Sequence, residues 1–286
     1  MTTKSKGSSV RQKIIDLQKK TGVPYQNLET AFMIERLVAR LVADTSLSKN
    51  LVFKGGFVGL RVYNSERYTI DLDALLVKSD IKSTLTLAVE KAESDLDDGV
   101  WFQFENQFDL ATQGDYGGIR QTYRAGIGEV LANIKKAQVI HFDLGIGDPI
   151  TPSPKKISVP SLVLKGEDLS WSVYPIETIC AEKIHALITH GDINSRSKDI
   201  HDLSVFLPST DSGLLKKALE KCFKFRNTDL PESYSKTIQA INTTSLRRGW
   251  ISATSSVTKS RAFNEAFNMI VKEMIRLDRS FKKGSL

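Results

Sequence analysis

From Tyr174 almost to the C terminus the apolar residues recur at helical spacing, whereas between Leu51 and Leu144 they form short runs or alternate with polar residues. A repeat of 3.6 and a repeat of 2 cannot be satisfied by one kind of element, so the change of period separates a sheet region from a helical one. Strands grouped ahead of grouped helices predict an α+β protein: a mixed-sheet domain with N-terminal helices, then a C-terminal helical bundle. The expected division is residues 1–170 and 171–286, the two meeting near residues 165–175.

Helical spacing covers Ser9 to Lys20 and Asn27 to Thr45. In the second segment Phe32, Ile34, Leu37, Val38 and Leu41 make a stripe, and Gly22–Val23–Pro24 breaks the two apart. Leu51 to Phe53 reads as a strand, Phe57 to Tyr63 as a short helix and Tyr68 to Val77 as a strand. Ile81 to Asp97 is helical, and Val100 to Leu110, Ile119 to Arg124 and Ala137 to Leu144 are candidate strands. Thr151 to Ile157, with Pro152 and Pro154, reads as a turn-rich corner. The later helices are expected at Pro175–His190, Lys198–Phe206, Gly213–Phe223, Tyr234–Ser245 and Ala262–Arg279.

At 286 residues there is length for one large core or two modest ones. No apolar run reaches membrane-spanning length. Met1 to Ser9 lacks the apolar stretch of a secretory signal and reads as a frayed end. Cys180 and Cys222 show no metal-ligand spacing and do not make a disulfide framework, which fits a reducing cytoplasm. The four histidines show no zinc spacing. Residues 216–286 hold 15 Lys or Arg against 6 Asp or Glu, while the other residues hold 25 against 27. The whole basic surplus therefore lies in the last quarter, which suits a polyanion such as nucleic acid and equally a solvated helical face.

The densest chemical signal is Arg67–Tyr68–Thr69–Ile70–Asp71–Leu72–Asp73. On a strand Thr69, Asp71 and Asp73 share one face, and two residues advance the chain by roughly 6.6 Å, so the carboxylates can converge on divalent ions. Phosphoryl transfer needs such ions to neutralise the triphosphate and activate the attacking hydroxyl. Alone, the pair also reads as a solvated strand face. Upstream stands Lys54–Gly55–Gly56, after a strand and before a helical turn, where glycines let backbone N–H groups approach phosphate. The 14 residues Phe57 to Ile70 separate the two features. Farther along, Ile176, Ile179, Cys180, Ile184 and Leu187 line a helix face on which Lys183 also falls. That ammonium is either a snorkelling side chain or a cation aimed at phosphate. Asp199 and Asp202 share a side of the next helix, with Lys198 four residues before Asp202.

These blocks resemble the AbiEii/AbiGii toxin family of the DNA polymerase beta-like nucleotidyltransferases. The likeness rests on Phe53–Lys54–Gly55–Gly56, Leu60–Arg61–Val62–Tyr63, the Asp71/Asp73 strand, Ile176 to Leu187, and Arg196 to Leu203. It covers roughly residues 10–207. Phe57 stands where the family often has Thr or Ser, Thr69 replaces Ser, His190 an arginine and His201 a tyrosine. The resemblance implies a toxin of an abortive-infection type, held in check by a cognate antitoxin protein. Its activity would be transfer of a nucleotidyl group from an NTP, with Mg²⁺ or Mn²⁺, to an RNA acceptor, the 3′ end of transfer RNA being the acceptor class of relatives. It also implies roles for residues. Asp71 and Asp73 hold metal, with Asp143 a third candidate on an alternating strand. Lys54, Gly55, Gly56, Arg67, Thr69 and Lys198 bind nucleotide, and Lys183 and Asp202 act with Asp71 and Asp73 in catalysis. Two other readings stand beside this one: transfer to a protein or small molecule, and a non-catalytic nucleotide- or RNA-binding module.

Overall fold

The computed structural model describes residues 3–110, 117–190 and 196–283. The chain divides into two compact units. One comprises Met1–Val58, Tyr68–Gly147 and Lys155–Val173; the other comprises Gly59–Arg67, Asp148–Pro154 and Tyr174–Leu286.

The first unit is built on a seven-stranded mixed sheet in the order β3-β4-β5-β2-β1-β7-β6. Its strands are β1 (Leu51–Lys54), β2 (Asp71–Leu76), β3 (Val100–Leu110), β4 (Gly118–Ile127), β5 (Gln138–Ile146), β6 (Lys155–Pro160) and β7 (Asp168–Val173). β2 runs parallel to β5 and β1 parallel to β7, while β1/β2, β3/β4, β4/β5 and β6/β7 are antiparallel. Alternation sorts the central strands cleanly. Leu72, Ala74, Ile140, Phe142, Leu144 and Tyr123 are buried, and Asp71, Asp73, His141, Asp143 and Arg120 on the opposite face are partly open.

Helices α1 (Thr3–Thr21), α2 (Tyr25–Ala43), α3 (Thr45–Asn50) and α5 (Ile81–Ala92) belong to the same unit, and α4 (Gly55–Val62) follows β1 without a loop. The stripe expected on α2 is buried, and the helix packs against β3, β4, β5 and β7. Its polar residues Arg36 and Arg40 are buried too. Both reach Asp98, Arg36 through Nε at 2.6 Å and Arg40 through Nη1 at 2.7 Å and Nη2 at 3.0 Å. Burial alone would raise the Asp98 pKa, yet the two guanidiniums hold it below the ordinary carboxylate value. Phe53 and Phe57 close on Trp171 with ring centroids 5.5 and 5.6 Å apart, fixing the β1–α4 junction over β7.

Several boundaries differ from expectation. The start of the chain is helical from Thr3, because Arg11 bonds the Ile127 carbonyl at 2.6 Å and Gly7 crosses Gly128 too closely for a side chain. β2 begins at Asp71 rather than Tyr68, since the Asp71 N–H turns back onto Thr69 Oγ1 at 3.1 Å instead of joining the ladder. β6 and β7 were hidden. β6 is a largely exposed edge strand beginning with two lysines, and β7 meets β1 at the single pair Phe53↔Val173.

The second unit holds α6 (Ile176–His190), α7 (Ser197–Phe206), α8 (Ser212–Phe225), α9 (Tyr234–Gln239), α10 (Thr244–Thr254) and α11 (Phe263–Lys283). The single helix expected over Tyr234–Ser245 is two, because the turn at 240–243 diverts the chain and Asn242 Oδ1 accepts from the Thr244 N–H. The Asp278 carboxylate of α11 accepts from the N–H groups of Tyr234 and Ser235 at 2.8 and 3.1 Å, capping α9. Cys180 and Cys222 are free thiols in the core. No described helix is long and apolar enough to cross a membrane.

Candidate active-site residues

In the first unit the register places chemistry in rows. Lys54 of β1 lies opposite Asp73 of β2, Asp73 opposite Asp143 of β5, and Asp143 opposite Arg120 of β4. One row across four strands therefore reads cation, anion, anion, cation. The adjacent row is Asp71, His141 and Thr122. Registered residues on neighbouring strands share a face, so Asp71, Asp73 and Asp143 form one acidic patch. The Asp73–Asp143 pairing follows from the parallel β2–β5 contact.

The glycine expected at the phosphate is fixed by this patch. Gly55 opens α4 with φ +73°, and a Cβ there would lie 1.9 Å from Asp73 Oδ2. Both the backbone angle and the carboxylate exclude a side chain. Gly56 follows in the first turn of α4, where helix N–H groups lack intrahelical partners. The hydroxyl of Thr69 is engaged by the Asp71 N–H, which sets how the chain enters β2.

Arg120 is the residue that sequence reading missed. Its Nε and Nη2 donate to Asp143 Oδ1 and Oδ2 at 2.7 and 2.6 Å, and Nη2 also stands 3.6 Å from Asp71 Oδ1. The hydrogen-bonded Asp143 raises the Arg120 pKa further. Burial, and then the same guanidinium, lower the pKa of His141, so its imidazole is neutral at physiological pH. The signal for Arg120 was its place at an alternate position of a strand, but only the β4–β5 register connects it with Asp143.

The second unit gathers another set. Lys183 of α6 donates to Asp199 Oδ1 at 2.7 Å and lies 2.8 Å from Asp202 Oδ2. Arg67 forks onto Asp202, Nε to Oδ1 at 3.0 Å and Nη2 to Oδ2 at 2.8 Å, while Arg196 Nη1 meets Asp199 Oδ2 at 2.9 Å. The result is a chain of alternating charge, Arg67–Asp202–Lys183–Asp199–Arg196, three cations and two anions. His201 bonds the Ser65 carbonyl through Nε2 at 2.8 Å, tying the Arg67 segment to α7. Lys198 is exposed on α7, and the partners of Asp202 are Lys183 and Arg67 instead.

Titration behaviour follows from the pairing. Burial opposes the charge on Lys183, but Asp199 and Asp202 overrule it and raise its pKa, so the ammonium keeps its proton. Burial also opposes the charge on Asp202, and Lys183 and Arg67 drive its pKa below the usual carboxylate range. A carboxylate so held is a poor general base. It holds Lys183 and Arg67 on its two oxygens.

Asp71, Asp73 and Asp143 offer hard oxygen donors of the kind Mg²⁺ and Mn²⁺ prefer. Among the described residues, no three His, Cys, Asp or Glu side chains converge as a ready-made ion site. Asp143 instead gives both oxygens to Arg120, a cation seated where negative charge is concentrated. The donor set fits a divalent ion in kind and charge.

A mixed sheet that carries alternating carboxylates beside a glycine-opened helix has the donor types that phosphoryl transfer uses. The family model of the nucleotidyl transferase AbiEii toxins of type IV toxin–antitoxin systems matches residues 36–280, and the chain belongs to that family. It spans every residue named in the two sets above. Two solved structures share the fold. JHP933 from Helicobacter pylori is 14% identical with a TM-score of 0.51, over 92% of this chain and 96% of that one. A second structure, described as a provisionally assigned nucleotidyltransferase from H. pylori, is 14% identical with a TM-score of 0.50, over 91% and 98%. No curated protein sequence matches the chain significantly.

Proposed function

We propose that this toxin transfers a nucleotidyl group from an NTP, with Mg²⁺ or Mn²⁺, to the 3′ end of an RNA, transfer RNA being the favoured acceptor. The observation that carries the reading is the row in which Asp73 and Asp143 lie side by side next to Asp71, with Gly55 pressed against Asp73. Asp71 and Asp73 would hold the metal, and Asp143 joins them when its carboxylate is released. A bound divalent ion would neutralise the triphosphate and lower the pKa of the acceptor hydroxyl. The glycine-opened turn at Gly55 and Gly56 admits phosphate oxygens to backbone N–H groups, with Lys54 beside it in register with Asp73. Lys183 supplies a permanent positive charge to phosphate, and Arg67, Asp199 and Asp202 position it. Lys198, exposed on α7, adds a further cation for the nucleotide.

The basic last quarter supports RNA as acceptor. Lys217, Lys221, Lys224, Arg247, Arg248, Lys259 and Arg279 are all exposed, and such charge binds polyanions without sequence preference. The antitoxin partner that family membership implies restrains the activity in a cytoplasmic setting. The test is incubation of the purified chain with α-labelled NTPs and separate pools of total RNA, protein and small molecules, with Asp73→Asn as control. Label on RNA 3′ ends that vanishes in the variant is expected. Label confined to protein or small molecules would reassign the acceptor, and no label in any pool would leave a non-catalytic binding module.

A further inference from the structure

We propose that Arg120 is a built-in counter-cation of the acidic patch, seated on Asp143 and Asp71 in the metal-free protein and obliged to leave when a divalent ion is taken up. The inference rests on the metal-binding reading of that patch. Three carboxylates on one face of three neighbouring strand positions repel one another, and a folded protein must offset that charge before any ion arrives. The structure shows the solution: a two-pronged guanidinium on Asp143, with the same Nη2 3.6 Å from Asp71.

That seat competes with metal ligation by Asp143. The guanidinium takes one lone pair of each Asp143 oxygen and, with Nη2 3.6 Å from Asp71, would repel a dication held by the same carboxylates. The Arg120 and Asp143 side chains keep 24% and 14% of their exposure, so the guanidinium can swing into water at modest cost. Displacement changes the local sum as well. With Arg120 seated, Lys54, Arg120, Asp71, Asp73 and Asp143 total −1; with it withdrawn, the patch presents −2 to an incoming dication. A withdrawn Arg120 remains a cation at the edge of the patch, of the planar kind that suits phosphate oxygens. Ion entry and withdrawal of the arginine then become a single event, and Arg120 is a positioning residue of the reaction, acting through Asp143.

The test is Mn²⁺ binding to the full chain without nucleotide, followed by electron paramagnetic resonance and calorimetry. Wild type, Arg120→Gln, Arg120→Lys and Asp73→Asn are compared, with thermal melts to confirm folding. Arg120→Gln is expected to bind Mn²⁺ about fivefold tighter, the factor for losing a competitor worth one partly exposed ion pair. Arg120→Lys keeps the charge but gives up the fork, and should also bind more tightly than wild type. In wild type the Arg120 Nε–H resonance, assigned by its loss in Arg120→Lys, should shift on Mg²⁺ titration. Tighter binding in the Gln variant with Lys equal to wild type would reveal a through-space charge effect and overturn displacement. Equal affinity in all three arginine-site forms, with loss only in Asp73→Asn, would overturn the Arg120 inference and leave the metal site standing. Absence of binding in every form would remove the metal reading and this inference with it.

Discussion

The closed charge chain of the second unit makes a sharp forecast for Asp202→Ala. Asp202 is 1% exposed, and its two oxygens serve Arg67 and Lys183, whose side chains keep only 7% and 15% of their exposure. Removing it leaves two cations facing each other in a dry setting, a loss of about 3–5 kcal/mol for breaking one member of a buried ion-pair group. At about 2–4 °C per kcal/mol for a chain of this size, the melting temperature should fall by about 10 °C. Lys183→Met is the internal control. Asp202 keeps its Arg67 fork and Asp199 keeps Arg196, so the loss should be about 1–2 kcal/mol although activity is abolished in both variants. The pH dependence follows from the depressed pKa of Asp202. A carboxylate whose folded pKa lies below its unfolded value stabilises fully above the unfolded value, about 3.9, and loses that contribution as the pH falls toward the folded one. The gap between wild type and Asp202→Ala should thus stay level at neutral and mildly acid pH and close below about pH 4. Urea titrations followed by circular dichroism at several pH values would measure it. A variant that melts within 2 °C of wild type, or a gap that closes near neutrality, would refute the closed chain.

Three further outcomes follow. Gly55→Ala should lower stability by about 2 kcal/mol through its positive φ and push the Asp73 carboxylate aside, which calorimetric Mn²⁺ titration would report as weakened binding. Asp71→Asn and Asp73→Asn touch half-open side chains and should leave the melting temperature within about 2 °C of wild type. Both should lower the nucleotidyl-transfer rate on the order of a hundredfold or more, read with labelled NTP. Cys180, whose thiol pKa burial pushes well up, and Cys222 should not react with a thiol reagent in the native protein, both reacting only once denaturant unfolds it.

How much of this was legible in the sequence depended on whether a signal was local. Asp71 and Asp73 announce themselves because a strand repeats every two residues, and the α2 stripe because a helix repeats every 3.6. The link of Asp73 to Asp143, 70 residues apart, is a matter of register, and the alternation of β5 could nominate Asp143 without naming its neighbour. Arg120 was invisible for the same reason: a charged residue on a strand acquires meaning only from the strand beside it. Lys183 was conspicuous as a cation on an apolar stripe, whereas nothing in the sequence showed that Arg67, 6% exposed, shares Asp202 with it. Arg36 and Arg40 interrupt the pattern of α2 in sequence, and only the arrival of Asp98 explains why a core helix tolerates them. Edge strand β6 carried too little apolar periodicity to be seen.

The contact between Gly55 and Asp73 has a consequence for how such an enzyme can diversify. A turn residue whose missing Cβ leaves the room a carboxylate oxygen occupies ties the posture of the turn to the posture of that oxygen. If the turn holds phosphate as proposed, a mutation that reshapes it would also move the Asp73 oxygen, so the two cannot drift separately. Selectivity among nucleotides is therefore expected to be written at positions remote from the turn, leaving the pair at 55 and 73 as a locked module.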